Sequence, residues 1–402
     1  MDDVQRVRVV GPLEVYAAGF AAELTRLGYT VFSARLQLQL AAHLSRWLAG
    51  EGMDASMLTS AVVAQFLVAR RAAGYTAYRS PTSLSSLLGY LRGLGVSPLP
   101  VVPVPEGPVE VLLERYRRYL VGERGLGEPT ARGYVGLARP FVVSRATADG
   151  VDLAGLSPAE VVGFVLAVSG ERTPKTAQQM VSVLRSLLRF CHVQGLLSVP
   201  LAGAVPKVSN RRAGLPRFLE PAQVESLLAS CDRGDVAGRR DFAMMTMMVR
   251  LGLRAGEVAG LGLGDIDWRR GEITVVGKGP RSERLPLPTD VGAAVANYLR
   301  HARPDDAIDR CVFVRVKAPH RGLTSGGVTQ AVIAAGGRAG LGPLTAHRLR
   351  HTAATGMLRA GAPLAQVGQV LRHHRALTTA TYAKVDRDTL RTLARPWPGG
   401  AA

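Results

Sequence analysis

Cysteine is scarce in this 402-residue chain. Cys191, Cys231 and Cys311 lie far apart and form no Cys-x-x-Cys pair. That spacing excludes a disulfide framework and a cysteine-based zinc site, and it fits a reducing cytoplasm. Apolar runs are short: none approaches the roughly 18 residues that a membrane-spanning helix needs. The N-terminal MDDVQRVRVV lacks the layout of a secretory leader. The chain is therefore expected to be neither secreted nor membrane-spanning. Lysine is also rare. Only Lys175, Lys207, Lys278, Lys317 and Lys384 stand among the 50 basic residues, a bias toward Arg that a GC-rich genome produces.

Acidic residues number 31, so the formal net charge is +19. With 47% apolar and 20% charged residues the chain is globular rather than disordered. The excess charge is uneven. Residues 1–100 carry 9 basic and 6 acidic side chains, residues 101–200 carry 11 and 9, and residues 201–402 carry 30 and 16. A field of that sign on a globular chain points to a polyanion, most often nucleic acid.

Two proline-rich stretches, SPLPVVPVPEGP (97–108) and VPKVSNRRAGLPRFLEP (205–221), interrupt helix and ladder hydrogen bonding and read as linkers. They divide the chain into segments 1–100, 106–204 and 214–402. The first two look related. GMDASMLTSAVVAQFL (52–67) aligns without gaps on GVDLAGLSPAEVVGFV (150–165) at an offset of 98, and SLLGYLRGLG (86–95) on SLLRFCHVQG (186–195) at 100. Both segments read as helix clusters, with Thr59 and Ser157 placed as N-caps. QMVSVLRSLLRFCHVQGL (179–196) reads as an amphipathic helix stopped at Gly195. Residues 1–100 are thus expected to be a degenerate copy of the next domain.

The third segment is mixed. DFAMMTMMVRLGLRAGEVAGL (241–261) reads as helices. DIDWRRGEITVVGKGPRSERLPLP (265–288) reads as strands with tight turns, and RCVFVRV (310–316) as a further strand. The remainder to Thr392 is expected to be mostly helical. The predicted fold is mainly α with a small β-sheet: two helical N-terminal domains, then an α+β domain.

Polar residues gather in that third segment without a packing reason. Arg254 and Glu257 are three apart on a helix, and Lys278 sits in the Gly-flanked turn of a hairpin. His347, Arg350 and His351 share one helical face, and Tyr382 follows His373 by nine residues. Each alone is ordinary, since an Arg–Glu helix pair is usually a salt bridge and two His around an Arg make a poor zinc site. Together, two guanidiniums can grip one phosphate, lysine and histidine can move protons, and tyrosine can attack through oxygen.

The stretches RLGLRAGEVAGLGLGDID, VVGKGPRSERLPLP, TAHRLRHTAATGMLRAGAPLAQVGQVLRHH and TTATYAKVD resemble the catalytic domain of the tyrosine recombinases, the phage-integrase-like enzymes. The order and spacing hold throughout 214–390. The middle segment, with ERYRRYLVGERGLGEPTARGYVGLARPFV, is similar to that family's helical core-binding domain.

The resemblance implies roles residue by residue. Arg254 and Arg350 would clamp the scissile phosphate. Lys278 would protonate the leaving 5′-oxygen, and His347 would assist proton transfer. His373 would contact the phosphate, and Tyr382 would be the nucleophile. Glu257 and His351 fall at familiar positions, either in the chemistry or as orienting and packing groups. One departure stands out: the usual Leu-Gly-His is Leu371-Arg372-His373 here, which would disturb the turn if that position needs a positive φ. His374 adjoins His373, but the nine-residue spacing favours His373.

The family's transesterification conserves bond energy, so no cofactor and no metal are expected, and the chain has no P-loop, GxGxxG or metal-spaced carboxylate pair. The implied partner is double-stranded DNA bound by a homotetramer, with or without other recombinases, in the cytoplasm near a bacterial nucleoid. The long N-terminal segment favours a transposable-element recombinase. A type IB topoisomerase or a catalytically silent DNA-binding regulator are the alternatives. The tail 386–394, DRDTLRTLA, with Trp397 beyond it, is expected to dock on a neighbouring protomer.

Overall fold

The computed structural model describes residues 7–100, 104–170, 172–208, 217–277 and 282–372. By backbone contacts the chain divides into two units: residues 1–100 together with 215–402, and residues 101–214. The fold is mostly helical with one small three-stranded sheet.

In the first unit, the N-terminal residues build α1 (Ala17–Arg26), α2 (Val31–Gly50), α3 (Ser60–Ala72) and α4 (Ser85–Gly93). The Thr30 hydroxyl accepts the Ser33 N–H at 3.2 Å and the Thr59 hydroxyl accepts the Val62 N–H at 3.3 Å, so both helices start where a side chain satisfies a free donor. Phe20, Leu44, Leu58 and Leu91 are buried at the centre of this cluster.

The second unit is α5 (Pro108–Gly122), α6 (Glu128–Ser144), α7 (Pro158–Gly170) and α8 (Pro174–Val193). Ser157 and Glu160 form a reciprocal cap at the start of α7. The Ser157 hydroxyl accepts the Glu160 N–H at 3.3 Å, and the Glu160 carboxylate accepts the Ser157 N–H at 2.8 Å. Glu160 is accordingly held down at about 2, first by the Ser157 backbone N–H, then by the Ser157 hydroxyl and Arg145. Helix α8 gives way to Gly195 at φ +71°, as its sequence predicts. Tyr116 and Phe190 centre the core, ring centroids 5.3 Å apart.

The C-terminal part of the first unit begins with α9 (Pro221–Ala229), α10 (Val236–Leu251) and α11 (Ala255–Gly260). Helix α10 is buried on several sides through Met244, Met245, Met247 and Met248. The strands β1 (Ile266–Asp267), β2 (Glu272–Val276) and β3 (Ser282–Pro286) follow as an antiparallel meander. Ile273 and Val275 point into the core while Ile273 pairs Leu285 in register, the alternation expected of a half-buried strand. The helices α12 (Thr289–His301), α13 (Ser325–Arg338), α14 (Ala346–Arg359) and α15 (Leu364–Val370) complete the described fold.

The strand expected over 310–316 is absent. Val312, Phe313 and Val314 are fully buried, which explains the apolar run. Their neighbours are irregular, however, so the backbone makes only isolated bridges, Gly262 to Cys311 and Val314 to Gly322. Among the described residues no helix is long and apolar enough to cross a membrane.

Candidate active site

The start of α11, the end of β2, α13 and the start of α14 surround one open cleft of about 660 Å³. Arg254, Glu257, His347 and Arg350 line it, 93 residues apart along the chain at their first and third members. Gly277, the residue after β2, lines it too. Lys278, His373 and Tyr382 lie outside the described residues, as does the tail 386–394 with Trp397. The residues just before Lys278 and His373, Gly277 and Arg372, are described.

Local sequence explains how the side chains arrive. Helix α10 ends at Gly252 in the left-handed conformation, φ +60°, where a Cβ would meet the Leu371 side chain. The chain then re-enters α11 with Arg254 as N-cap. Glu257, three residues on, accepts the Arg254 backbone N–H at 2.8 Å through Oε2, and its Oε1 accepts from Arg254 Nη1 at 2.5 Å. Arg254 stays 40% exposed, reaching into the cleft, whereas Glu257 is 5% exposed.

On α14, Thr345 caps the helix and accepts the Arg348 N–H at 3.3 Å. His347, Arg350 and His351 then share a face, as their spacing predicts. Arg350 is only 1% exposed. Its Nη1 donates to the Gly252 carbonyl at 2.6 Å and its Nη2 to the Leu371 carbonyl. Thus one guanidinium is fixed by the fold and the other is presented to solvent. The His347 and His351 rings meet edge to face at 4.4 Å. Burial, with the charges of His347 and Arg350, pushes His351 down to about 4. His351 is therefore neutral at neutral pH and is not among the residues lining the cleft.

The departure at Arg372 resolves in an unexpected way. The turn keeps a positive φ, +56°, with Arg in it. The Arg372 side chain is buried, and its Nη2 donates to Glu257 Oε2 at 2.7 Å while Nη1 donates to the Val370 carbonyl at 2.9 Å. Burial pushes the Glu257 carboxyl upward. The Arg254 N–H, the Arg372 charge and the Arg254 guanidinium outweigh it and hold Glu257 below the usual carboxylate range. Sequence reasoning noticed Arg372 only as an anomaly; a buried partner for it could not be read from spacing. Gly252 was missed as well, although a Gly before the motif arginine is a signal of a left-handed turn.

Chemically, the cleft offers an anion two guanidiniums backed by a third, with one carboxylate shared between two of them. Ser325 and Thr329 add hydroxyls at the start of α13. Among the described residues no group of three or more His, Cys, Asp or Glu is placed to hold a metal ion.

The phage integrase family profile matches residues 217–388. The chain is similar to y4rA of Sinorhizobium fredii, a protein named as an integrase/recombinase, at 39% identity over 97% of this chain and 96% of that one. It is also similar to the tyrosine recombinase XerD of Listeria monocytogenes, at 30% identity over 70% of this chain and 96% of XerD. Among solved structures, the XerH site-specific recombinase bound to its palindromic difH substrate has a similar fold. It matches at 18% identity with a TM-score of 0.57, over 74% of this chain and 99% of that one.

Proposed function

The chain belongs to the phage integrase family of tyrosine recombinases, and on that premise we propose that it is a site-specific recombinase of duplex DNA. It would cut and rejoin strands through a covalent 3′-phosphotyrosine intermediate, in the integration or transposition of a mobile element. The observation that supports this reading is the convergence of Arg254, His347 and Arg350 on one cleft that Gly277, the residue before Lys278 in the sequence, also lines.

In this reading the Tyr382 oxygen attacks the scissile phosphorus in line, forming the phosphotyrosine bond as the bond to the 5′-oxygen breaks. Lys278 gives that oxygen its proton. Tyrosine is mostly neutral at pH 7, so His347 takes its proton and the surrounding cations favour the phenolate. Negative charge grows on the non-bridging oxygens, where Arg254, Arg350 and His373 stabilise it. Losing one such stabiliser typically costs roughly 10²–10³ in rate. A 5′-hydroxyl from the partner strand then attacks the phosphorus, and Tyr382 leaves with its proton returned. One phosphodiester is exchanged for another, so no energy source enters.

We assign residues 106–204 and 214–402 to a DNA clamp and residues 1–100 to a further helical DNA-binding domain, a degenerate copy of 106–204. The match to y4rA extends over nearly the whole chain, whereas the match to XerD covers 70% of it. The extra length favours the mobile-element role. Four protomers would assemble on two DNA sites.

A nicked suicide duplex carrying an element end tests the reading. The wild-type chain should form an adduct that survives denaturation, and Tyr382→Phe should bind the duplex without forming one. An adduct in the Phe variant would refute the assignment.

A further inference from the structure

The N-terminal helices hold a second basic cleft, of about 430 Å³, formed by α2, the end of α3 and the loop after it. At its floor lies Arg70, only 9% exposed. Its Nη1 donates to His43 Nδ1 at 2.9 Å, its Nε donates to the Ala77 carbonyl at 3.2 Å, and its guanidinium carbon stands 4.1 Å over the Tyr75 ring. All three partners are neutral, and none of the described residues lining the cleft is acidic. Arg8 and Arg46 line the rim and add two more positive charges.

A buried guanidinium ordinarily sits against a carboxylate, because desolvating it unpaired is costly. Here burial instead pulls the Arg70 guanidinium below its ordinary value. Burial, then the charges of Arg46 and Arg70, hold His43 down as well. Among the described residues the cluster has no counter-ion.

The hydrogen-bond order adds direction. Arginine can only donate, so His43 Nδ1 must accept and the imidazole carries its proton on Nε2. That N–H reaches the Tyr75 hydroxyl oxygen at 3.2 Å. The phenolic proton is then left as a further donor, and Nη2 of Arg70 has no intramolecular partner among the described residues. Tyr78, in the wall, has φ +54°, a left-handed backbone that side chains seldom adopt. Strain of this kind concentrates at ligand-binding sites.

We propose that Arg8, Arg46, Arg70 and Tyr75 form a second phosphate seat, which takes a DNA phosphodiester other than the scissile one. An anion there would neutralise Arg70 and accept from Nη2 and the Tyr75 hydroxyl. That the anion belongs to DNA rests on the recombinase reading above. The seat itself assigns residues 1–100 a contact that strengthens binding and takes no part in strand cleavage.

The full chain and its Arg8→Gln, Arg46→Gln and Arg70→Gln variants should be titrated with element-end duplex across a range of salt, following fluorescence anisotropy. One lost phosphate contact should reduce the slope of log K against log salt by about 0.9. Affinity should fall several-fold, while adduct yield on the nicked suicide duplex at saturating DNA stays at the wild-type level. Arg8 and Arg46 are exposed, so their variants carry the test even if Arg70→Gln fails to fold. Wild-type slopes in both rim variants would overturn the seat. The His43 ring signal provides a second reading: duplex should shift it, and millimolar inorganic phosphate should compete. A shift by phosphate that duplex neither reproduces nor displaces would mean a free anion and defeat the DNA assignment. If the wild-type chain forms no adduct at all, the recombinase reading fails while the salt slope still reports on the seat.

Discussion

Arg372 and Arg254 share one carboxylate. Oε2 of Glu257 accepts from Arg372 Nη2 at 2.7 Å and from the Arg254 backbone N–H at 2.8 Å, while Oε1 takes Arg254 Nη1. The arginine that replaces glycine in the Leu-x-His turn is therefore tied, through Glu257, to the arginine that enters the cleft.

Arg372→Met should destabilise the protein by about 3–5 kcal/mol, because Glu257 would keep a buried charge with one partner removed. Glu257→Gln added to Arg372→Met should recover much of that loss. Chemical denaturation of both single variants and the double variant gives the coupling. Strict additivity would show that the two side chains do not act as a pair.

Gly252→Ala should impair both folding and cleavage. The left-handed backbone alone costs about 1–2 kcal/mol with a Cβ present, and that Cβ would press on Leu371. Both Gly252 and Leu371 give their carbonyls to Arg350, so adduct formation should slow by more than ten-fold even in protein that remains folded. A folded variant with wild-type cleavage would show that these carbonyls do not position Arg350.

Acid should weaken the fold in a window set by His351. Its folded value, about 4, lies below the ordinary histidine value near 6.5. The unfolded chain thus binds the proton first. The stabilisation is fully present above roughly pH 6.5 and is lost progressively as pH falls toward 4. His351→Gln should flatten this limb of stability against pH, read from thermal midpoints between those limits. An unchanged limb would assign the acid sensitivity elsewhere.

Lys278→Ala should slow cleavage of ordinary DNA by about 10²–10⁴. On a 5′-bridging phosphorothiolate, whose leaving thiolate needs no proton, most of that loss should disappear. Equal slowing on both substrates would place Lys278 in phosphate binding rather than acid catalysis.

Much of the architecture was legible because it is local. Thr59 and Ser157 announce helix starts because their side chains satisfy donors three residues away. The 265–288 stretch reads as a meander because Ile273 and Val275 alternate with polar neighbours between glycines. His347, Arg350 and His351 share a face because a helix turns once every 3.6 residues. The order of Arg254, Lys278, His347, Arg350, His373 and Tyr382 was enough to point to phosphodiester chemistry.

Other features depended on partners that no spacing reveals. Residues 310–316 have the composition of a strand but lie between irregular segments, and a ladder needs a second extended chain. Arg372 keeps its left-handed turn because the surrounding packing brings it Glu257, 115 residues away. Arg70 looks like one more solvated arginine in a basic chain until α2 and the loop after α3 enclose it beside His43 and Tyr75. Backbone preference and side-chain periodicity act within a turn or two, so the sequence by itself determined most of the elements, their caps and the enzyme family. Which charges are desolvated together is a property of the packed core, and only the tertiary structure decided that.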